Sequence, residues 1–142
     1  MNLGIIPCSK EKIWDHKPNL GPVKAKDAYR SAFHHYAREY ALKNCTHHII
    51  FSAKYGFMEP DFIISGPYDV TFNRPQDPCI VDTDLMKQAQ RYARFKTVAV
   101  LCPKAYADKI KASFSKTTAQ LIFPLRGVGG WGAMHSWLKQ NA

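Results

Sequence analysis

The sequence predicts an α/β domain: three layers, with a mostly parallel central sheet of about four strands and helices on both faces. Three observations carry this expectation. Short β-rich apolar runs recur at residues 3–6, 48–51, 98–101 and 120–123. Segments of helical periodicity separate them, and strands alternating with helices build parallel sheets covered on both sides. Polar, lysine-bearing segments follow the first two runs, the place where open α/β sheets bind their ligands. A length of 142 residues fits a single domain over residues 1–142, large enough to bury a core without disulfides or metal.

The elements follow in order. Residues 3–6 form a buried strand stopped by Pro7. Residues 10–22, with Pro18, Gly21 and Pro22, read as a loop. Ala28/Tyr29, Ala32/Phe33, Tyr36/Ala37 and Tyr40/Ala41 recur every four residues, the mark of a long amphipathic helix that Asn44 ends. His34 and His35 fall on its polar face and are expected at the surface. Residues 48–51 make a central strand closed at Ser52. Across residues 55–81 the pattern dissolves among Pro60, Pro67, Pro75 and Pro78, and so long a structureless stretch is more often functional than idle. Asp82 or Thr83 can cap a helix that runs to about Arg94, with Leu85, Met86, Ala89, Tyr92 and Ala93 facing inward. A third strand at 98–101, a helix at 105–114, a fourth strand at 120–123 and a final helix at 131–139 complete the chain.

Charge and cysteine usage narrow the function. Twenty Lys and Arg against eleven Asp and Glu give a net charge of +9, and the basic residues are scattered rather than gathered in a tail. That distribution suits a folded surface binding a phosphate-rich partner, so nucleic acid, DNA foremost, is the expected partner; the plain alternative is a basic, well-solvated surface. Cys8, Cys45, Cys79 and Cys102 form no Cys-x-x-Cys pair, and no His-x-x-x-His occurs, so neither a metal site nor a cofactor is expected. Separated cysteines and the lack of a long apolar run imply reduced thiols, a cytoplasmic setting and no membrane partner.

Four segments can carry chemistry. Cys8, Ser9, Lys10 and Lys12 stand just past the first strand, where N–H groups and lysines can hold a phosphate or a base carbonyl. Ser52, Lys54, Tyr55 and Gly56 combine a tight-turn glycine, a cation and an aromatic able to stack on a base. Asp69, in the run Gly66-Pro67-Tyr68-Asp69-Val70-Thr71-Phe72-Asn73, is the expected catalytic carboxylate: cleaving an N-glycosidic bond creates an oxocarbenium-like sugar that a carboxylate stabilises. Asn73 would read a base edge and Tyr68 or Phe72 stack on it; Asp61 and Asp77 are weaker carboxylates for the same role. Arg126 and Gly127 lie in a glycine-rich loop before the last helix, where a phosphate can approach N–H groups. Each segment also has an ordinary reading as a turn. His16, in the first loop, is a further weak site residue.

At these segments the chain resembles a family of small bacterial and phage domains, largely of unassigned function, that combine Cys-Ser-Lys-x-Lys, Ser-Ala-Lys-Tyr/His-Gly-Phe/Leu, Pro-Tyr-Asp and Pro-Leu-x-Gly. Residues 8–12, 52–57, 67–69 and 124–127 match as they stand. More distantly, Pro7-Cys8-Ser9 resembles the start of the archaeosine synthase catalytic domain, and the layout is similar to YaaA-like peroxide-stress proteins and uracil-DNA glycosylase-like folds. The chain lacks the glycosylases' Gly-Gln-Asp-Pro-Tyr and His-Pro-Ser motifs and adds a glycine-tryptophan stretch at residues 129–132. The resemblance implies nucleobase or nucleic-acid chemistry. The leading expectation is a DNA N-glycosidase or related base-processing enzyme acting on an unusual base in DNA, in a phage-defence setting. Two alternatives stand beside it: an enzyme on free nucleosides or nucleotides, without affinity for long DNA, and a non-catalytic DNA-binding protein in which Asp69 is dispensable.

Overall fold

In the computed structural model, which describes residues 1–142, β1 (Asn2–Pro7) is buried from Leu3 to Pro7, as a strand covered on both faces must be. It is followed by α1 (Ile13–His16), β2 (Val23–Lys24), α2 (Ala25–Ala28), α3 (Ala32–Asn44), β3 (His47–Ser52), β4 (Gly56–Met58), β5 (Ile63–Ile64), α4 (Asp82–Gln90), β6 (Thr97–Val100), α5 (Lys104–Ser113), β7 (Gln120–Ile122) and α6 (Trp131–Asn141). The main sheet has five strands in the order β4-β3-β1-β6-β7. β3, β1, β6 and β7 are parallel, and β4 runs antiparallel at the edge beside β3. β2 and β5 pair in a separate antiparallel ribbon. No helix is long and apolar enough to cross a membrane.

The period-2 alternation of the strands divides the core into two layers. Leu3, Ile5, Ile49, Phe51, Val98 and Val100 pack against Leu85 and Ala89 of α4 and Ala107 and Ile110 of α5. Ile6, Ile50 and Leu101 face the other way, against Phe33, Ala37 and Ala41 of α3 and Leu138 of α6. Gly4 shares this second face, and a β-carbon there would lie 3.0 Å from Cys45 Sγ and 3.1 Å from Ala41 Cβ, so a missing side chain lets α3 settle close to the sheet.

Several expectations are corrected. Residues 55–81 are not structureless: β4 lies within them and adds a fifth strand to the sheet expected to have about four, and β5 pairs there with β2 in the separate ribbon. Gly56 opens β4 with φ +78°, and a β-carbon there would sit 2.1 Å from Gln88 Oε1, which accepts from Phe57 N at 2.7 Å. That contact ties the edge strand to α4. The segment 10–22 contains the helical turn α1. The long helix starts at Ala32, not near Ala28, because Ser31 caps it by accepting from His34 N at 3.1 Å, while α2 forms a separate turn before it.

His34 is not at the surface but 2% exposed, with Nδ1 2.6 Å from the Pro7 carbonyl oxygen. The first turn of α3 lies against the end of β1, and a strand carbonyl takes up the ring nitrogen that the apolar periodicity alone assigned to solvent. Burial pushes its pKa from 6.5 down to about 4, with the Pro7 hydrogen bond opposing. Between these values the unfolded chain binds a proton that the folded one refuses, so the contribution of this residue is full above pH 6.5 and drains away as pH falls toward 4. Melting temperature should therefore fall more steeply on acidification in the wild type than in His34→Gln, whose amide can still donate to Pro7; identical pH profiles would assign the acid sensitivity elsewhere.

Candidate functional site

Two connections of opposite sense create the crevice. The chain leaves β1 toward β3 on one side through α3, then crosses to β6 and β7 on the other through α4 and α5. A single hand of crossover places those helices on opposite faces, so the carboxyl ends of the neighbours β1 and β6 are left uncovered at a topological switch point. A cavity of about 870 Å³ lies there. Its walls are residues 7–12 after β1, Pro103 and Tyr106 after β6, residues of the 69–74 loop, Ser31 and Phe33 at the start of α3, and Trp131.

The loop after β1 is tightly built. Cys8 N donates to the Phe51 carbonyl at 3.1 Å, Ser9 Oγ donates to the Glu11 carbonyl at 2.6 Å, and Lys12 N donates to Asp15 Oδ2 at 2.9 Å. These bonds turn the Lys12 side chain inward. Lys12 is 6% exposed; its Nζ lies 4.5 Å from the Tyr68 ring centroid, donates to the Lys10 carbonyl at 3.3 Å, and takes part in none of the ion pairs. Burial lowers its pKa, with Cys8 and Asp69 opposing. Burial likewise raises the Cys8 thiol, against the Ala53 backbone and the Lys12 charge, so Cys8 is a neutral wall group at pH 7 rather than a thiolate nucleophile. Lys10 is exposed at the rim.

The segment after β3 supports this wall without lining the cavity. Ser52 is fully buried; its Oγ accepts from Lys54 N at 3.1 Å and Tyr55 N at 3.2 Å and hydrogen-bonds the Tyr68 hydroxyl at 2.9 Å. The Tyr68 hydroxyl in turn hydrogen-bonds that of Tyr29, and burial raises the pKa of both phenols. This chain of hydroxyls fixes the Tyr68 ring beneath Lys12, so Tyr68 is not free to stack on a base. Tyr55 packs edge-on against Tyr68 at 5.3 Å, Gly56 makes the turn into β4, and Lys54 is exposed with its Nζ 5.5 Å from the Tyr68 ring centroid.

The loop with Asp69 and Asn73 lines the same cavity as Lys12. Arg74 organises it. Its Nη2 donates to Asp69 Oδ1 at 2.9 Å and to the Asp69 carbonyl at 3.0 Å, and its Nε donates to Asp77 Oδ2 at 2.8 Å. These bonds from Arg74 hold the Asp69 carboxyl below the usual carboxylate range although the side chain is 68% exposed. Asp69 is therefore a lasting anion near neutral pH, suited to stabilising a cation and unsuited to donating a proton. Thr71 Oγ1 accepts from Asn73 N at 3.2 Å and hydrogen-bonds the Tyr106 hydroxyl at 3.1 Å, anchoring the loop to α5.

Other expected site residues fall outside. Asp77 orients Arg74, and Asp61 pairs with Lys24 and Lys26 at 3.6 and 3.7 Å. His16 pairs with Glu11 at 2.7 Å. Arg126 turns its guanidinium over the Phe123 ring at 4.0 Å, and neither it nor Gly127 lines the cavity; a stacking partner close in sequence holds the arginine. The last loop reaches the site only through Trp131, 61% exposed and edge-on to Phe33 at 5.0 Å. Arg74, Phe33 and Tyr106 were not singled out from sequence, and Trp131 only as part of the glycine-tryptophan stretch at residues 129–132. An arginine five residues after Asp69 was the one legible signal among them.

Comparison with known proteins gives a consistent family and no activity. A model described as a family of unknown function (DUF6884) matches residues 3–140. The uncharacterized protein YfjM of Bacillus subtilis is 37% identical over 134 residues, 93% of this chain and 89% of that protein. Among solved structures, the crystal structure of AF0587, a protein of unknown function, aligns over 98% of this chain and 43% of its own at 12% identity and a TM-score of 0.44, so the chain spans less than half of that protein.

Removing the hydroxyl at the centre of the supporting chain should loosen the site. Ser52→Ala leaves two backbone N–H groups and the Tyr68 hydroxyl short of a buried partner, a loss on the order of 1–3 kcal/mol. Urea denaturation measures it; a stability within about 0.5 kcal/mol of wild type, the scale of a neutral surface change, would show that the hydroxyl chain does not hold this wall.

Proposed function

The chain belongs to the DUF6884 family, a family of unknown function, and we propose that it is a DNA N-glycosidase, removing an unusual or modified base from DNA. The observation that carries the proposal is the pairing of an ionised carboxylate, Asp69, and a buried ammonium, Lys12, in the walls of one cavity at the switch point of the sheet. The parallel order β3-β1-β6-β7 supports reading the fold as uracil-DNA glycosylase-like.

Heterolysis of an N-glycosidic bond sends the bonding electron pair to the base nitrogen and leaves a cationic sugar. The reaction thus needs an anion on one side of the bond and a cation or proton donor on the other. Asp69 supplies the first, held in place by Arg74. Lys12 supplies the second, stabilising the departing base or giving it a proton, which a lowered pKa makes easier. Water then adds to the sugar carbon and releases its proton to solvent, from which Lys12 regains the one it gave. A cavity of about 870 Å³ is in the size range of small-molecule sites and admits a nucleoside unit, with Asn73 offering an amide to a base edge and Trp131 and Phe33 offering faces or edges at the mouth. A base inside a duplex cannot reach such a crevice, so the nucleotide must flip out of the stack. The +9 charge favours the polymer over a free nucleoside. Removal of a modified base fits defence against phages that carry one.

Mass spectrometry of bases released from a panel of genomic and phage DNAs tests this reading. A free base should appear, and Asp69→Asn should slow its release by about 100-fold or more with melting temperature and DNA affinity kept. No base from any DNA rejects the glycosidase, and wild-type release by Asp69→Asn rejects the role of that carboxylate.

A further inference from the structure

A second cavity, of about 420 Å³, lies against the first turns of α3, and Ser31 lines both cavities. We propose that this cavity is a backbone-phosphate subsite, which holds the DNA strand flanking the nucleotide in the main cavity. The inference rests on the reading of the main cavity as a nucleotide site.

Its chemistry is cationic. Lys26, Arg30 and Arg38 line it against the single carboxylate of Asp27. Arg30 and Arg38 take part in none of the ion pairs, and the one hydrogen bond from the Arg38 guanidinium is long, 3.4 Å to the Lys26 carbonyl. Lys26 only shares Asp61 with Lys24, at 3.7 Å. Two arginines without carboxylate partners in a concave wall are donors in want of an acceptor, and a planar fork of N–H groups matches phosphate oxygens. The first N–H groups of α3, at Ala32 and Phe33, add the positive end of the helix between the two cavities. A further group in the wall also lacks a partner: His34 Nε2 is buried without a hydrogen bond, while Nδ1 is held by the Pro7 carbonyl. With Nδ1 donating, Nε2 is an acceptor that a phosphodiester oxygen cannot bond directly, and a water held beside the phosphate would donate to it.

Continuity decides between a phosphate track and an unrelated basic patch. Lys10 and Lys12 lie in the main cavity, Ser31 stands at the junction, and Arg30 and Arg38 line the second cavity. A strand with one nucleotide flipped into the main cavity has its neighbouring phosphates on either side of that nucleotide, and the second cavity is where the chain offers them partners.

Fluorescence anisotropy with a short labelled oligodeoxynucleotide, single-stranded and duplex, tests the assignment against a charge-matched control. The double variant Arg30→Glu/Arg38→Glu should weaken binding by about 10-fold or more and reduce the slope of log affinity on log salt by roughly 2, since each lost phosphate contact removes about one released counterion. The control Lys111→Glu/Lys116→Glu changes net charge equally at exposed positions of α5 and the turn after it, and should weaken binding by less than about 3-fold. Arg30→Glu alone, at an exposed position, gives a smaller loss of the same kind if the double variant fails to fold. Equal losses in test and control pairs, an unchanged salt slope, or a wild type that does not bind DNA would overturn the subsite. Base release by wild type, measured in parallel, separates the outcomes: release with DNA binding indifferent to Arg30 and Arg38 rejects the subsite alone, whereas no release and no binding rejects the glycosidase reading with it.

Discussion

The opposed connections of β1 and β6 are the constraint on which the rest depends. Because the chain travels one way from β1 and the other way to reach β6 and β7, helices of the two crossovers lie on different faces and cannot both close the carboxyl edge. The crevice is thus a product of strand order before any side chain is considered. Side chains then decide its character. Apolar residues of β1, β3 and β6 spend both faces on the core, and the polar residues immediately after them have the crevice as their nearest open space.

Within the crevice the two charges are held by different means. Asp69 is exposed and kept anionic by Arg74, a pairing that needs little from burial. Lys12 has the reverse position, enclosed, on the face of Tyr68, with a carbonyl at 3.3 Å as its only acceptor. Burying an ammonium without a carboxylate partner costs stability, and such groups recur where a ligand or a reaction uses them. The hydroxyl chain from Ser52 through Tyr68 to Tyr29 explains how the fold tolerates it: the ring under Lys12 is locked by hydrogen bonds to a fully buried serine that also turns the chain after β3. Two segments whose equivalent positions after β1 and β3 suggested one shared pocket, residues 8–12 and 52–57, therefore act as the surface and the support of one wall.

The parallel strands and the existence of α3, α4, α5 and α6 were legible because apolar residues cluster at intervals along the chain. The bounds of α4 were not: Val81 precedes it without a side-chain cap, Asp82 is already inside it, and it ends at Gln90, which leaves Ala93 exposed. β4 and β5 were not legible, being three and two residues long; in β4 all residues are buried, so no alternation exists to be read. Asp69 and Asn73 reach the cavity as their irregular, proline-rich surroundings suggested. Arg126 does not, because its loop could turn either way and Phe123 holds it. His34 misled for a related reason: periodicity counts apolar residues, whereas this imidazole is drawn inward by one carbonyl at the end of β1. Tyr68, expected to stack on a base, lies behind the cavity wall as a support, a position set by tertiary hydrogen bonds that no spacing encodes.

A nucleotide in the cavity lined by Lys12 and Asp69 is what the proposed function requires. NMR titration of the isotope-labelled protein with a short oligodeoxynucleotide measures that directly, residue by residue. Shifts should concentrate at residues 8–12 and 69–74 and at the indole of Trp131. Binding that leaves these signals in place while perturbing another face of the sheet, or no perturbation at all, would contradict the proposed function.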